Sequence, residues 1–437
     1  MTPRSIGFKA RPDRALIRAN HRSERFVLAE LVAPPAGQRV ERRPVNLCFV
    51  LDRSGSMSGS KIALARQAVE SALARLRPDD RFSIVVYDEE IELVMESTPA
   101  SHEARTAAMD RLRHIDARGS TDLAAGWLRG CEQVALHLEG YGVNRALLLT
   151  DGLANVGITD GSELERHARQ LRDRGVTTST FGVGEEFDER LLQSLADSGG
   201  GHFYYIAGAA QIEDHITAEV GETLEVVVRG VTIEVTTPDG LDAETLSPFR
   251  GDRRDNRLRV LLGDLVADQH QSIVLRFRFP RGAAGETSGV LLALTHTDAV
   301  AGGDVGGVPG TRDLLVPEPI ALSWTYADDP ANDAQERDAG VDRAVAELFA
   351  ARARQEAVAL NRAGQFVAAR ASLGAVAQRL RGYAGTDPRM VALLDELEVD
   401  EQTWAAPAAE GARKQTFAAS AYAMRGRAPD GRASRRS

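Results

Sequence analysis

The spacing of apolar residues changes character along the chain. From Val45 to Leu224, short unbroken apolar runs, among them "VNLCFVLD", "RFSIVVYD", "RALLLTDG", "TTSTFGVG" and "HFYYI", alternate with helical stretches such as the one from Lys61 to Leu76. A strand that is apolar at every position is covered on both faces, as central parallel strands are when helices flank the sheet. The alternation therefore predicts an α/β unit over residues 45–224, Rossmann-like, with a doubly wound and mostly parallel sheet. "IELVMEST" follows "RFSIVVYDEE" too closely for a helical crossover, which predicts an antiparallel edge strand formed by a hairpin.

Over residues 225–327 the rhythm becomes strict alternation, as in "VVVRGVTIEVTTPDG", "SIVLRFRFP" and "EPIALSW". Antiparallel strands with one buried face read this way, which predicts a small β-sandwich. "ERFVLAELVAP" has the same texture, so residues 1–44 are expected to add strands to that sandwich from the far side of the α/β unit. Residues 328–340, "ADDPANDAQERDAG" and its edges, are polar and read as a linker. Residues 341–400 carry helical periodicity broken at "NRAGQF", which predicts a helical hairpin followed by a third helix; "ALNRAGQFVAARASL" resembles one tetratricopeptide repeat, too few for a solenoid. Residues 401–437 are Ala-rich and basic, and are expected to be disordered.

Composition narrows the function classes. With 437 residues the chain is long enough for about three structural units. A net charge of -10 argues against a nucleic-acid backbone as partner, since such binders concentrate Lys and Arg on one face. The basic N-terminal residues lack the apolar stretch of a secretory signal and no later run approaches a membrane span, so the expected location is cytoplasmic, without membrane association. Cys48 and Cys131 lie in a strand-like run and a helix, which fits a reducing compartment rather than a disulfide framework.

The stretch "LDRSGSMSGSKI", residues 51–62, holds the candidate chemistry. A phosphate-binding P-loop needs four residues between its glycines and Gly-Lys followed by a hydroxyl. Gly55 and Gly59 are separated by three, Ser60 precedes Lys61, and Ile62 stands where the hydroxyl belongs. A nucleophile elbow needs Ser at the centre of GxSxG, and that centre is Met57. A metal site remains. Asp52, Ser54 and Ser56 form DxSxS at a strand's carboxyl end, where open parallel sheets bind ligands, and Thr121 in "ARGSTDL" and Asp151 in "LLLTDGLANVG" are expected to reach the same crevice. Three hydroxyls and two carboxylates are hard oxygen donors, suited to Mg2+ or Mn2+.

In these residues the segment from Val45 to about Leu224 resembles a von Willebrand factor A domain with a complete metal-ion-dependent adhesion site. The resemblance implies that Ser54, Ser56 and Thr121 bind the ion through hydroxyls, that Asp52 and Asp151 act mostly through water, and that one position stays open for a partner's carboxylate. More loosely, the order of segments resembles bacterial cytoplasmic relatives of inter-alpha-trypsin inhibitor heavy chains. Asp122, beside Thr121, departs from the plain pattern by placing a further charge nearby.

The expectation is a non-enzymatic adaptor that captures an acidic residue of another protein through Mg2+. Two other readings stand beside it: a co-factor subunit of a MoxR- or chelatase-like AAA+ ATPase, and a Mg2+-dependent hydrolase, which lacks an identifiable nucleophile or base. In the basic tail, "RKQTF" offers Thr416 as a candidate phosphorylation site, with a phosphothreonine-reading signalling protein as the corresponding partner.

Overall fold

The computed structural model describes residues 4–36, 42–140, 142–297 and 314–435. It divides into two compact units, Gln38–Val226 on the one hand and Met1–Gly37 with Val227–Ser437 on the other. The chain opens with strands β1 (Arg4–Ser5), β2 (Gly7–Pro12), β3 (Leu16–Arg18) and β4 (Ser23–Val32), which belong to the second of these.

The Gln38–Val226 unit is a Rossmann-like α/β fold. Its elements run β5 (Val45–Asp52), α1 (Ser60–Leu73), β6 (Arg81–Tyr87), β7 (Ile91–Pro99), α2 (His102–Leu112), α3 (Leu123–Ala135), β8 (Val143–Thr150), α4 (Gly161–Asp173), β9 (Thr177–Val183), α5 (Glu189–Gly199), β10 (Gly200–Ile206) and α6 (Ile212–Leu224). The sheet order is β10-β9-β8-β5-β6-β7, parallel except for β7, which pairs antiparallel with β6 at the edge. Every residue of β5 and of β8 is buried, because helices cover both faces. The order also locates the ligand crevice. From β5 the chain moves outward to β6 and β7, then returns to the other side of β5 to lay down β8, so the loops leaving β5 and β8 part from each other at the carboxyl end of the sheet.

The other unit holds a β-sandwich and helices. After α6 come β11 (Val226–Thr236), β12 (Asp242–Thr245), β13 (Arg250–Arg254), β14 (Arg257–Val266), β15 (His270–Phe279), β16 (Thr287–Thr295), β17 (Leu314–Leu315) and β18 (Ile320–Ala327). One sheet has the order β13-β14-β11-β16-β18-β3 and the other β12-β15-β4-β2, while β1 pairs with β17. β4 runs antiparallel to β15 over ten residues, from Ser23 against Phe279 to Val32 against His270. Its Val27, Ala29 and Leu31 join Ile233, Ile273, Phe277 and Trp324 in the core between the sheets.

The polar segment 328–340 contains α7 (Asp329–Ala334), capped by Asp328, whose Asn332 accepts from Arg25 at 2.6 Å; the linker expectation missed it because a helix of fewer than two turns leaves no periodicity. Then follow α8 (Ala339–Arg362), α9 (Phe366–Arg381), α10 (Pro388–Thr403) and α11 (Glu410–Met424), so the C-terminal part is larger than a hairpin with a third helix. The expectation of a disordered tail is overturned. α11 buries Lys414, Phe417, Ala421 and Tyr422, and beyond it the carbonyl of Ser434 accepts from the amide of His270 at 2.8 Å. Asn361 of α8 ties the segment down: its amide donates to the carbonyls of Trp404 and Ala406, and its oxygen accepts from Ala408 and Arg413. Thr416 is therefore half-buried within a helix, its carbonyl accepting from Ser420, and not on the flexible backbone that suits a kinase groove. Among the described residues no helix is long and apolar enough to cross a membrane.

Candidate metal site

Five residues from three loops meet at the crevice beside β5 and β8. Asp52 ends β5, wholly buried, and its side chain turns back on its own loop: one carboxylate oxygen accepts from the amide of Ser54 at 2.7 Å and the other from the hydroxyl of Thr150, the last residue of β8, at 2.6 Å. The second of these bonds ties the ends of the two central strands together. The Ser54 and Ser56 hydroxyls lie 3.1 Å apart, and Ser56 donates to one oxygen of Asp151 at 2.6 Å. Asp151, also wholly buried, gives its other oxygen to the ammonium of Lys61, in the first turn of α1.

Thr121 reaches this group from the loop before α3. A side chain placed on Gly152 would meet its hydroxyl at 3.4 Å and that of Ser56 at 3.8 Å, so glycine at 152 leaves both hydroxyls facing one gap. The loop is held in register by backbone bonds: Gly55 donates to Gly119 at 3.1 Å, Arg118 to Arg53 at 2.7 Å, and Asn155 to Thr121 at 3.3 Å. Asp88 anchors the outer side by accepting from Arg53 at 3.0 Å and Arg118 at 2.8 Å. Burial alone would raise the Asp88 carboxyl; the Glu90 amide and the two guanidinium groups hold it below the usual carboxylate value.

The charge balance is uneven. Burial pushes the Asp52 carboxyl up to about 6, against the hydrogen bonds from Thr150 and Ser54 that pull it down, and the neighbouring Asp151 carboxylate adds to the rise. Asp122, next to Thr121, takes a structural role as well: its field acts on Tyr87 together with those of Asp52 and Asp151. It caps α3 by accepting from Ala125 at 3.0 Å and lies against Gly157. The donor set facing the gap is thus all oxygen and net negative, which suits a hard divalent cation.

A second group joins residues that lie far apart in the sequence. His202, Glu219 and Glu222 lie close enough together to hold an ion, brought from β10 and α6. Glu219 already accepts from Arg145 at 2.7 Å, Ser179 at 2.6 Å and Tyr204 at 2.6 Å, and His202 sits 3.0 Å from it. Its oxygens are saturated by donors from β8, β9 and β10, the pattern of a buried network that fastens α6 to the sheet.

Residues 46–218 match the von Willebrand factor type A domain family. Relatives include the uncharacterized protein YfbK of Escherichia coli, 35% identical over 44% of this chain and 33% of its own length, and inter-alpha-trypsin inhibitor heavy chain H1 of Mesocricetus auratus, 30% identical over 39% of this chain and 19% of its own. The chain thus spans about a third or less of these relatives. A solved von Willebrand factor type A protein from Catenulispora acidiphila superposes with a TM-score of 0.69 at 19% identity, covering 91% of this chain and 88% of that one, and so shares its fold.

Proposed function

From a chain that carries a von Willebrand factor type A domain at residues 46–218, we propose a non-enzymatic adaptor that captures an acidic residue of a partner protein through a divalent ion, Mg2+ or Mn2+. Asp52, Ser54, Ser56, Thr121 and Asp151 would hold the ion. It would supply an electrophile with one position left for the partner's carboxylate. The observation that carries this reading is the linked set of hydroxyls and carboxylates: Ser54 against Ser56, Ser56 on Asp151, and Thr121 across the gap at Gly152. The chain's own residues do the positioning. Thr150 and the Ser54 amide orient Asp52, while Asp88 and its two arginines keep the Thr121 loop beside the Asp52 loop.

The test is affinity capture from native lysate with the full chain, with and without EDTA, against Asp52→Ala. Capture that EDTA and the substitution both abolish, with circular dichroism unchanged, is the expected result. A partner retained by Asp52→Ala and still released by EDTA would assign the metal to another place.

A further inference from the structure

We infer that Lys61 is a built-in counter-cation of the metal site: its ammonium holds the Asp151 carboxylate and has to yield to an incoming divalent ion, which sets the ion's affinity. This inference rests on the reading of the site proposed above. Lys61 is the second residue of α1, and its ammonium donates both to the Asp151 carboxylate and to the carbonyl of Ser56, the latter at 3.2 Å. It therefore touches two of the five residues at the gap. Gly184, the residue after β9, lies close by: a side chain added there would meet the ammonium at 3.9 Å.

This is not a surface ion pair. The Asp151 side chain is 0% exposed while that of Lys61 is 30% exposed, so the carboxylate has no solvent to fall back on and the ammonium does. A buried carboxylate stripped of its partner is strongly penalised, and a second wholly buried carboxylate, Asp52, shares the crevice. The neighbouring arginines serve elsewhere: Arg53 pairs with Asp88 and Glu92, and Arg118 with Asp88 and Glu90. Lys61 is thus the cation that pairs with Asp151 and holds its loop in place.

The same placement makes it a competitor. A divalent ion at the hydroxyls of Ser54, Ser56 and Thr121 would lie close to the ammonium and repel it. A four-carbon stem with a partly solvated head lets Lys61 withdraw from Asp151, at the cost of breaking the pair. Ion capture is then an exchange of one cation for another. The exchange favours a doubly charged ion over a singly charged one, and it keeps the affinity below what the oxygen donors alone would give.

The experiment titrates the full chain with Mn2+ by calorimetry, at fixed pH and ionic strength, in wild type, Lys61→Met, Lys61→Arg and Asp52→Ala, and records melting of each in EDTA. Lys61→Met should bind Mn2+ on the order of ten-fold more tightly, as expected for removing one unit charge near a partly solvated ion. It should also melt below wild type in EDTA, and Lys61→Arg should stay near wild type in both. Lys61→Gln gives the same comparison should Lys61→Met fail to fold. Equal or weaker Mn2+ binding by the neutral variants, with wild type still binding, overturns the counter-cation inference and leaves the site standing. No Mn2+ bound by wild type overturns the reading of the site and this inference with it.

Discussion

Gly126 and Gly130 bring α3 onto the sheet, and enlarging either should loosen the metal site from a distance. A side chain on Gly126 would fall 2.3 Å from Cγ of Tyr87, and one on Gly130 would fall 2.2 Å from Cγ2 of Val50, both more than an ångström inside ordinary contact. Tyr87 and Val50 are wholly buried, so neither can turn away into solvent. Overpacking of this kind costs about 1–3 kcal/mol. Replacing glycine by alanine in an exposed helix interior gains about 1 kcal/mol, which sets the opposite expectation. Gly126→Ala should therefore destabilise by roughly 1–2 kcal/mol in urea denaturation with EDTA present, where no ion contributes. The helix has to move outward to admit the methyl group, and its first turn follows directly on Thr121 and Asp122. Mn2+ affinity measured by calorimetry should fall in step. A Gly126→Ala protein as stable as wild type or more so, with unchanged Mn2+ binding, would refute the claim that close packing of α3 positions Thr121.

Asp52→Asn keeps the shape and removes a charge that burial disfavours; the folded protein holds this carboxyl above its ordinary value, so ionisation lowers stability as pH rises through that range up to about 6. In EDTA at pH 7 the Asn variant should gain about 1–3 kcal/mol over wild type while losing Mn2+ binding, read by urea denaturation and calorimetry. Asn361→Leu strips two carbonyls and two donors of their partner and should cost about 2–4 kcal/mol, with fast hydrogen exchange spreading over α11. Glu219→Ala leaves the Arg145 guanidinium without its buried carboxylate and should cost about 3–5 kcal/mol, whereas a loss below 1 kcal/mol would remove the network's structural role. Deleting residues 1–33 exposes the edge of β15 along ten residues, and light scattering should show larger species for the truncated protein than for the full chain.

The α/β unit was legible because β5 and β8 are buried at every position, so their apolar runs could not be mistaken for half-exposed strands. The two carboxylates of the candidate site were legible for a related reason: Asp52 follows the run "LCFVL" and Asp151 follows "ALLLT", whereas Thr121 follows no apolar run. Contacts between distant segments left weaker traces. Lys61 failed the spacing of a phosphate loop, and nothing local in the sequence places it on Asp151, 90 residues away. His202 and Glu219 likewise meet only through the packing of α6 on the sheet. α11 was missed because its buried face mixes Phe417, Tyr422 and Met424 with two alanines, Ser420 and Lys414, a weak apolar stripe that reads as a solvated tail until Asn361 and α8 supply its partners.

The central claim is that Ser54, Ser56 and Thr121 face one ion between Asp52 and Asp151. It is tested most directly by anomalous diffraction from crystals of the full chain grown with Mn2+. The account predicts a peak within about 2.0–2.6 Å of the three hydroxyls, the range of oxygen ligands to hard divalent cations, with no peak in Asp52→Ala crystals. Density at His202, Glu219 and Glu222 instead, or none near Ser54, would contradict it.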